Sequence, residues 1–177
     1  MRCFIAVDIP DQLKQKIIEV QKKLECEGIK PTEKENLHFT LKFLGEISNE
    51  QTEQVREKLK QVKIKPFRIS INEVGVFPNL NYIKIVWLGC DSEELVELAK
   101  SVDKKMNEIR FEKNEKYQNH ITIARVKAKP TKELIKKIQE LKDIEIGEML
   151  VDNIKLKASK LTSKGPIYTD LEIFELE

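Results

Sequence analysis

The sequence predicts an α+β fold: two pseudo-twofold-related lobes whose antiparallel sheets line a central cleft, with the helices outside. Three observations carry this. A β-prone frame of histidine, apolar, threonine, apolar occurs twice, as His38-Phe39-Thr40-Leu41 and His120-Ile121-Thr122-Ile123. The order strand, helix, histidine strand, helix, strand runs once through each half, with His38 lying 31 residues beyond Val7 and His120 34 residues beyond Val86. No Ser/Gly-rich linker divides the halves, so residues 1–177 are expected to form a single domain, its two lobes built from repeated halves that meet near 80–90.

The elements follow from periodicity and punctuation. Phe4 to Val7 is an apolar run closed by Asp8-Ile9-Pro10, a short buried strand. Leu13, Ile17, Val20 and Leu24 recur at helical spacing, which predicts a helix over Asp11–Glu27 stopped by Gly28. Lys30–Asn36 is polar, contains Pro31 and reads as a loop; Leu37–Leu44 is the first histidine strand. Ser48 stands three residues before Gln51, a capping-box spacing for a helix that carries Val55, Leu59 and Val62 and ends before Pro66. Phe67–Val76 reads as one strand, 77–81 as a turn and Tyr82–Leu88 as its hairpin partner.

The second half restarts with a helix over Ser92–Phe111, striped by Leu95, Leu98, Val102 and Met106. A polar loop and the second histidine strand, Gln118–Val126, come next, then a helix over Thr131–Leu141. Ile144–Ser159 is strand-rich with a break at Asp152-Asn153, Lys160–Pro166 reads as a turn, and Ile167–Leu176 as the closing strand.

Composition narrows the function classes. Charged residues are 35% of the chain, but 32 Lys and Arg face 30 Asp and Glu, a net charge of +2. That balance argues against a purely electrostatic nucleic-acid binder, though not against a local basic cleft. The wealth of Lys, Glu and Ile resembles hyperthermophile compositions. Cys3, Cys26 and Cys90 are odd in number and scattered, as expected of inert thiols in a reducing compartment. They and two histidines give no zinc-ligand spacing, so neither metal nor cofactor is expected. The opening Met1–Asp8 turns acidic too soon for a signal peptide, and no apolar run approaches a membrane span. A cytoplasmic monomer without membrane attachment is the expectation.

On a strand, side chains alternate faces, so His38 and Thr40 share one face over Phe39 and Leu41, and His120 and Thr122 share one over Ile121 and Ile123. Imidazole titrates nearest neutrality, so one ring can accept a proton while another donates one. The threonine hydroxyls can donate hydrogen bonds to an anion held between the rings. Arg125 adds a permanent charge with a fork suited to phosphate oxygens. Strict alternation points it away from His120, and a bulge near the strand end would have to re-aim it. The lysines at 127, 129 and 132 and at 155, 157 and 160 read as solvated faces, and Phe43, Phe77 and Tyr82 as core or turn packing.

These residues resemble the two-histidine phosphoesterase superfamily and, within it, the bacterial and archaeal RNA 2′,3′-cyclic phosphodiesterases, also called 2′-5′ RNA ligases. The likeness runs through Met1–Asp8, Glu35–Gly45, Gly75-Val76-Phe77-Pro78, His120–Val126 and Leu161–Tyr168. The chain departs from it at Lys30-Pro31-Thr32, where the family often has an aromatic residue, and at Ser163, where a proline is frequent. The resemblance implies metal-independent hydrolysis of RNA 2′,3′-cyclic phosphate ends to 2′-phosphates, with tRNA fragments among the candidate substrates. It makes His38 the proton donor and His120 the proton acceptor, with Thr40, Thr122 and Arg125 on the phosphate, and it implies reversible 2′-5′ ligation as a side reaction. Two other readings remain at this point: an RNA-end binding module without turnover, and a phosphodiesterase for another small nucleotide diester.

Overall fold

Two four-stranded antiparallel sheets supply the walls of a cleft in the computed structural model, which describes residues 1–177. The chain runs β1 (Arg2–Asp8), α1 (Asp11–Lys23), β2 (Ile29–Pro31), a 3-10 turn (Lys34–Asn36), β3 (His38–Glu46), α2 (Asn49–Leu59), β4 (Phe67–Ile71), β5 (Glu73–Asn79) and β6 (Tyr82–Gly89). It continues through α3 (Glu93–Asn107), β7 (His120–Val126), α4 (Lys132–Gln139), β8 (Gly147–Val151), β9 (Asn153–Thr162) and β10 (Gly165–Glu175). One sheet has the order β10-β9-β1-β3 and the other β2-β7-β6-β5, while β4 and β8 form a separate ribbon. Each large sheet draws strands from both halves of the chain, so the restart near 80–90 divides the repeat rather than the lobes.

The helices form where sequence periodicity places them, and each buries one stripe. Leu13, Ile17 and Val20 of α1, Val55 and Leu59 of α2, Leu95, Leu98, Val102 and Met106 of α3, and Leu134 and Ile138 of α4 all join one core cluster of 41 residues. A continuous cluster of that size makes the two lobes one body. Ser48 closes the capping box with Gln51, and the Ser92 and Thr131 hydroxyls accept from the Leu95 and Leu134 amides. No helix is long and apolar enough to cross a membrane, and all three cysteines are free thiols.

Several boundaries differ from the sequence reading. The first helix ends at Lys23, short of Glu27, and the third at Asn107, short of Phe111. Residues 30–36 are not plain loop: β2 pairs with the end of β7, and a 3-10 turn precedes β3. So short a segment has no periodicity to read, and its backbone pairing leaves no mark on side chains. The stretch 67–76 is two strands in two sheets, β4 pairing with β8 and β5 with β6. The break is visible in hindsight as a phase slip: Ile69 and Ile71 are buried, but beyond Asn72 it is Val74 and Val76 that pack on the core. Strand β5 runs through Pro78 to Asn79, and the late turn shrinks to Ser163-Lys164 because Thr162 and Gly165 already pair.

Candidate active site

Strands β3 and β7 carry the two histidine frames, and both have the same irregularity. On β3, Ile5 pairs with Lys42 but Ala6 pairs with Thr40, leaving Leu41 as an extra residue; on β7, Val86 pairs with Ala124 but Trp87 with Thr122, leaving Ile123 extra. Each bulge follows directly after the threonine. Leu41 and Lys42, and likewise Ile123 and Ala124, are consecutive buried residues, and the next side chain on each strand emerges on the histidine face. Phe43 and Arg125 are therefore structural counterparts, each five residues after its histidine. The bulge re-aims Arg125 into the cleft. Phe43 is not core packing but 73% exposed at the cleft wall, and Tyr82 is also exposed.

His38, Thr40, His120, Thr122 and Arg125 all line one cleft of about 340 Å³. The Nδ1–H of His120 donates to the Gln118 carbonyl at 2.9 Å, which leaves Nε2 free as an acceptor. The Nε2 of His38 lies 2.8 Å from the Thr40 hydroxyl, and the Asn36 backbone, also two residues upstream, favours its charged form. Each imidazole is clamped by two aromatic rings. Phe4 and Tyr168 have centroids 5.0 and 5.4 Å from His38; Phe77 and Trp87 have centroids 5.0 and 6.4 Å from His120. Of these four, sequence reasoning gave Phe77 a packing role alone and left Phe4, Tyr168 and Trp87 unassigned. Phe4, Phe77 and Tyr168 carried a signal in their membership of the opening, middle and late family-like segments, whereas Trp87 lies in none of them.

Glycine makes room for the Trp87 clamp. A β-carbon on Gly75 would lie 2.1 Å from the indole, and one on Gly89 would lie 2.4 Å from the Asn119 carbonyl oxygen. Behind His38 sits a four-charge cluster. Lys157 Nζ is 2.9 Å from Asp8 and 2.7 Å from Asp170, and Lys155 Nζ is 2.8 Å from each of them. Lys157 is 5% exposed, so it is not part of a solvated face. Asp8 is the cross-strand partner of His38. Burial raises the carboxyls of Asp8 and Asp170, but hydrogen bonds from Lys155 and Lys157 outweigh it and hold them below the usual range.

The His38 imidazole is pushed down to about 4. Burial is the main cause, the Lys157 charge adds to it, and the Asn36 carbonyl and Asp8 oppose it. His120 contributes a further like-charge push, as two rings sharing a site must. His38 is thus neutral near pH 7 in the open cleft. On the far side of β3, buried Lys42 pairs with Asp103 at 2.6 Å and bonds Asn114 and the Glu112 carbonyl, which ties the histidine strand to α3 and the loop beyond it. No group of three or more His, Cys, Asp or Glu side chains is arranged to hold a metal ion.

Comparison with known proteins identifies the family and the fold. A family model described as LigT-like phosphoesterase matches the chain twice, over residues 7–87 and 88–168, one histidine strand falling in each match. The RNA 2′,3′-cyclic phosphodiesterase of Methanocaldococcus jannaschii is 41% identical over 95% of this chain and 96% of its own, and that of Archaeoglobus fulgidus is 41% identical over 99% and 100%. Among solved structures, a Thermus thermophilus protein superimposes with a TM-score of 0.87 at 29% identity, covering 99% of this chain and 98% of its own. Escherichia coli LigT complexed with 3′-AMP superimposes with a TM-score of 0.83 at 25% identity, covering 99% and 97%.

Proposed function

The chain belongs to the LigT-like phosphoesterase family, and from that we propose that it is an enzyme hydrolysing RNA 2′,3′-cyclic phosphate ends to 2′-phosphates by paired histidine acid–base catalysis. The observation that carries the reading is two imidazoles, each with a threonine hydroxyl beside it, opening on one cleft that also receives Arg125. With a cyclic phosphate between the rings, His120 Nε2 takes a proton from water as the oxygen attacks phosphorus. The bond from phosphorus to the 3′ oxygen breaks on the opposite side, and His38 gives that oxygen its proton. Thr40, Thr122 and Arg125 hold the non-bridging oxygens, whose negative charge grows in the transition state.

His38 must be charged to act as the acid, yet in the open cleft burial keeps it neutral. A phosphodiester anion within hydrogen-bond reach favours the charged ring, so the substrate itself loads the acid. With an RNA 5′ hydroxyl in place of water as the attacking group, the same displacement of the 3′ oxygen joins a cyclic phosphate to that end through a 2′-5′ bond; water is far more abundant than RNA 5′ ends, so hydrolysis prevails. Both proton transfers and the charge stabilisation are supplied by side chains, so the reaction needs no metal.

The test is turnover of a 2′,3′-cyclic nucleotide with product identification. His38→Ala and His120→Ala should each lose about 10²–10⁴ in rate while staying folded, chelators should change nothing, and the product should be the 2′-phosphate. Wild-type rate in either variant would defeat the acid–base assignment. Tight binding of cyclic-ended RNA without any product would instead favour an RNA-end binding module.

A further inference from the structure

The cleft holds more positive charge than one phosphate uses. Besides Arg125, its wall includes Lys30, Lys127 and Lys164, while Glu33 is its only carboxylate. All three lysines are exposed and none forms an ion pair, in contrast to Lys42, Lys155 and Lys157 nearby. Each is held in place by backbone. Lys30 lies on edge strand β2 directly across from Arg125, so the two share a face. Lys127 follows Arg125 by two residues and therefore projects on that same face; its amide donates to the Gly28 carbonyl at 2.7 Å. Lys164 sits in the β9–β10 turn, where its amide donates to the Thr162 hydroxyl, and the Asn36 side chain binds the Pro166 carbonyl to bring that turn against the cleft.

We propose that Lys30, Lys127 and Lys164 form a track for the backbone phosphates of the RNA that leads into the cyclic end. This rests on the phosphodiesterase reading and extends it from the reacting nucleotide to its upstream neighbours. The cyclic phosphate carries one negative charge, which Arg125 and the two threonines already meet. Further cations in a row are matched by a partner with one anion per residue. Lys30, Arg125 and Lys127 occupy neighbouring positions about 5–7 Å apart, close to the spacing of successive phosphates in an extended strand, and Lys164 lines the same cleft from the other sheet. Because the contacts go to phosphates, the track reads chain length and not base sequence.

The experiment compares 2′,3′-cyclic AMP with a short RNA bearing a 2′,3′-cyclic phosphate, across a series of salt concentrations. The proteins are the unmodified chain, the triple variant Lys30→Gln/Lys127→Gln/Lys164→Gln, and a control pair, Arg110→Gln/Lys113→Gln. The control residues line the separate groove on the other side of Phe43. The triple variant should lose at least about tenfold in kcat/KM on the RNA at low salt, and its salt dependence should flatten by about 2 in logarithmic slope, roughly 0.7 per contact. Its activity on the mononucleotide should fall several-fold less than its activity on the RNA, since that substrate offers a single phosphate, which Arg125 and the two threonines meet. The same fold-change on both substrates in the triple variant, no change on either, or the loss appearing in the Arg110/Lys113 pair instead, would overturn the track. Turnover of neither substrate by the unmodified protein would overturn the phosphodiesterase reading itself.

Discussion

His38 is where physical chemistry and function meet most closely. Phe4 and Tyr168 exclude water from its ring and Lys157 repels its charged form, so in the fold it resists protonation down to about 4, whereas an unfolded chain protonates it near 6.5. Between those values the unfolded state binds more protons, so stability is full above about pH 6.5 and falls as pH drops toward 4. The shift corresponds to at most about 3.5 kcal/mol. Asp8 and Asp170 have lowered carboxyls, so their contribution is lost only at still lower pH and does not obscure this window. Urea unfolding across pH 4–7 should show the slope, and His38→Gln should flatten it; an unchanged slope in that variant would place the proton elsewhere. Both histidines and both threonines were legible from strand alternation alone. Asp8, Lys157 and Asp170 were not: they meet through the pairing of β1, β9 and β10, and a charged residue in an alternating strand looks the same whether it faces water or a buried partner.

At the scale of elements, the bulges and the aromatic clamps decide how the site is built. One extra residue after each threonine turns the next outward side chain toward the cleft, giving Arg125 on one strand and Phe43 on the other. The need for a bulge at Arg125 could be stated from sequence, because strict alternation contradicted the proposed role. Its occurrence could not, because a bulge is a property of the pairing with β6. Nor did the sequence suggest Phe43 as the counterpart of Arg125, since an aromatic residue on a strand is an ordinary core choice. The Trp87 clamp yields a prediction here. Gly75→Ala puts a methyl group 2.1 Å from the indole, so the ring must move and loosen its hold on His120. Overpacking of this kind should cost about 1–3 kcal/mol in thermal or urea unfolding and should lower kcat at saturating substrate. Wild-type stability together with wild-type kcat would show that the slot has slack the structure does not display.

Over the whole molecule, the repeated halves interleave: each sheet takes strands from both, and one core of 41 residues runs beneath them. The repeat was visible as two histidine frames in matching order, and the family model matches once on either side of residue 87. The interleaving was hidden, because which strand pairs with which is a long-range choice that local periodicity does not encode. Its consequence is functional. Strands β3 and β7, in contact across the two sheets, bring both histidine frames to one cleft, which is the arrangement that a phosphate shared by the two rings requires. The most direct test is a long-range ¹H–¹⁵N NMR titration of the two imidazoles with a nucleoside 2′-monophosphate. If both rings meet one anion, the Nε2 signals of His38 and His120 will move together and fit a single dissociation constant. Movement of one ring alone, or two unrelated constants, would contradict a shared site.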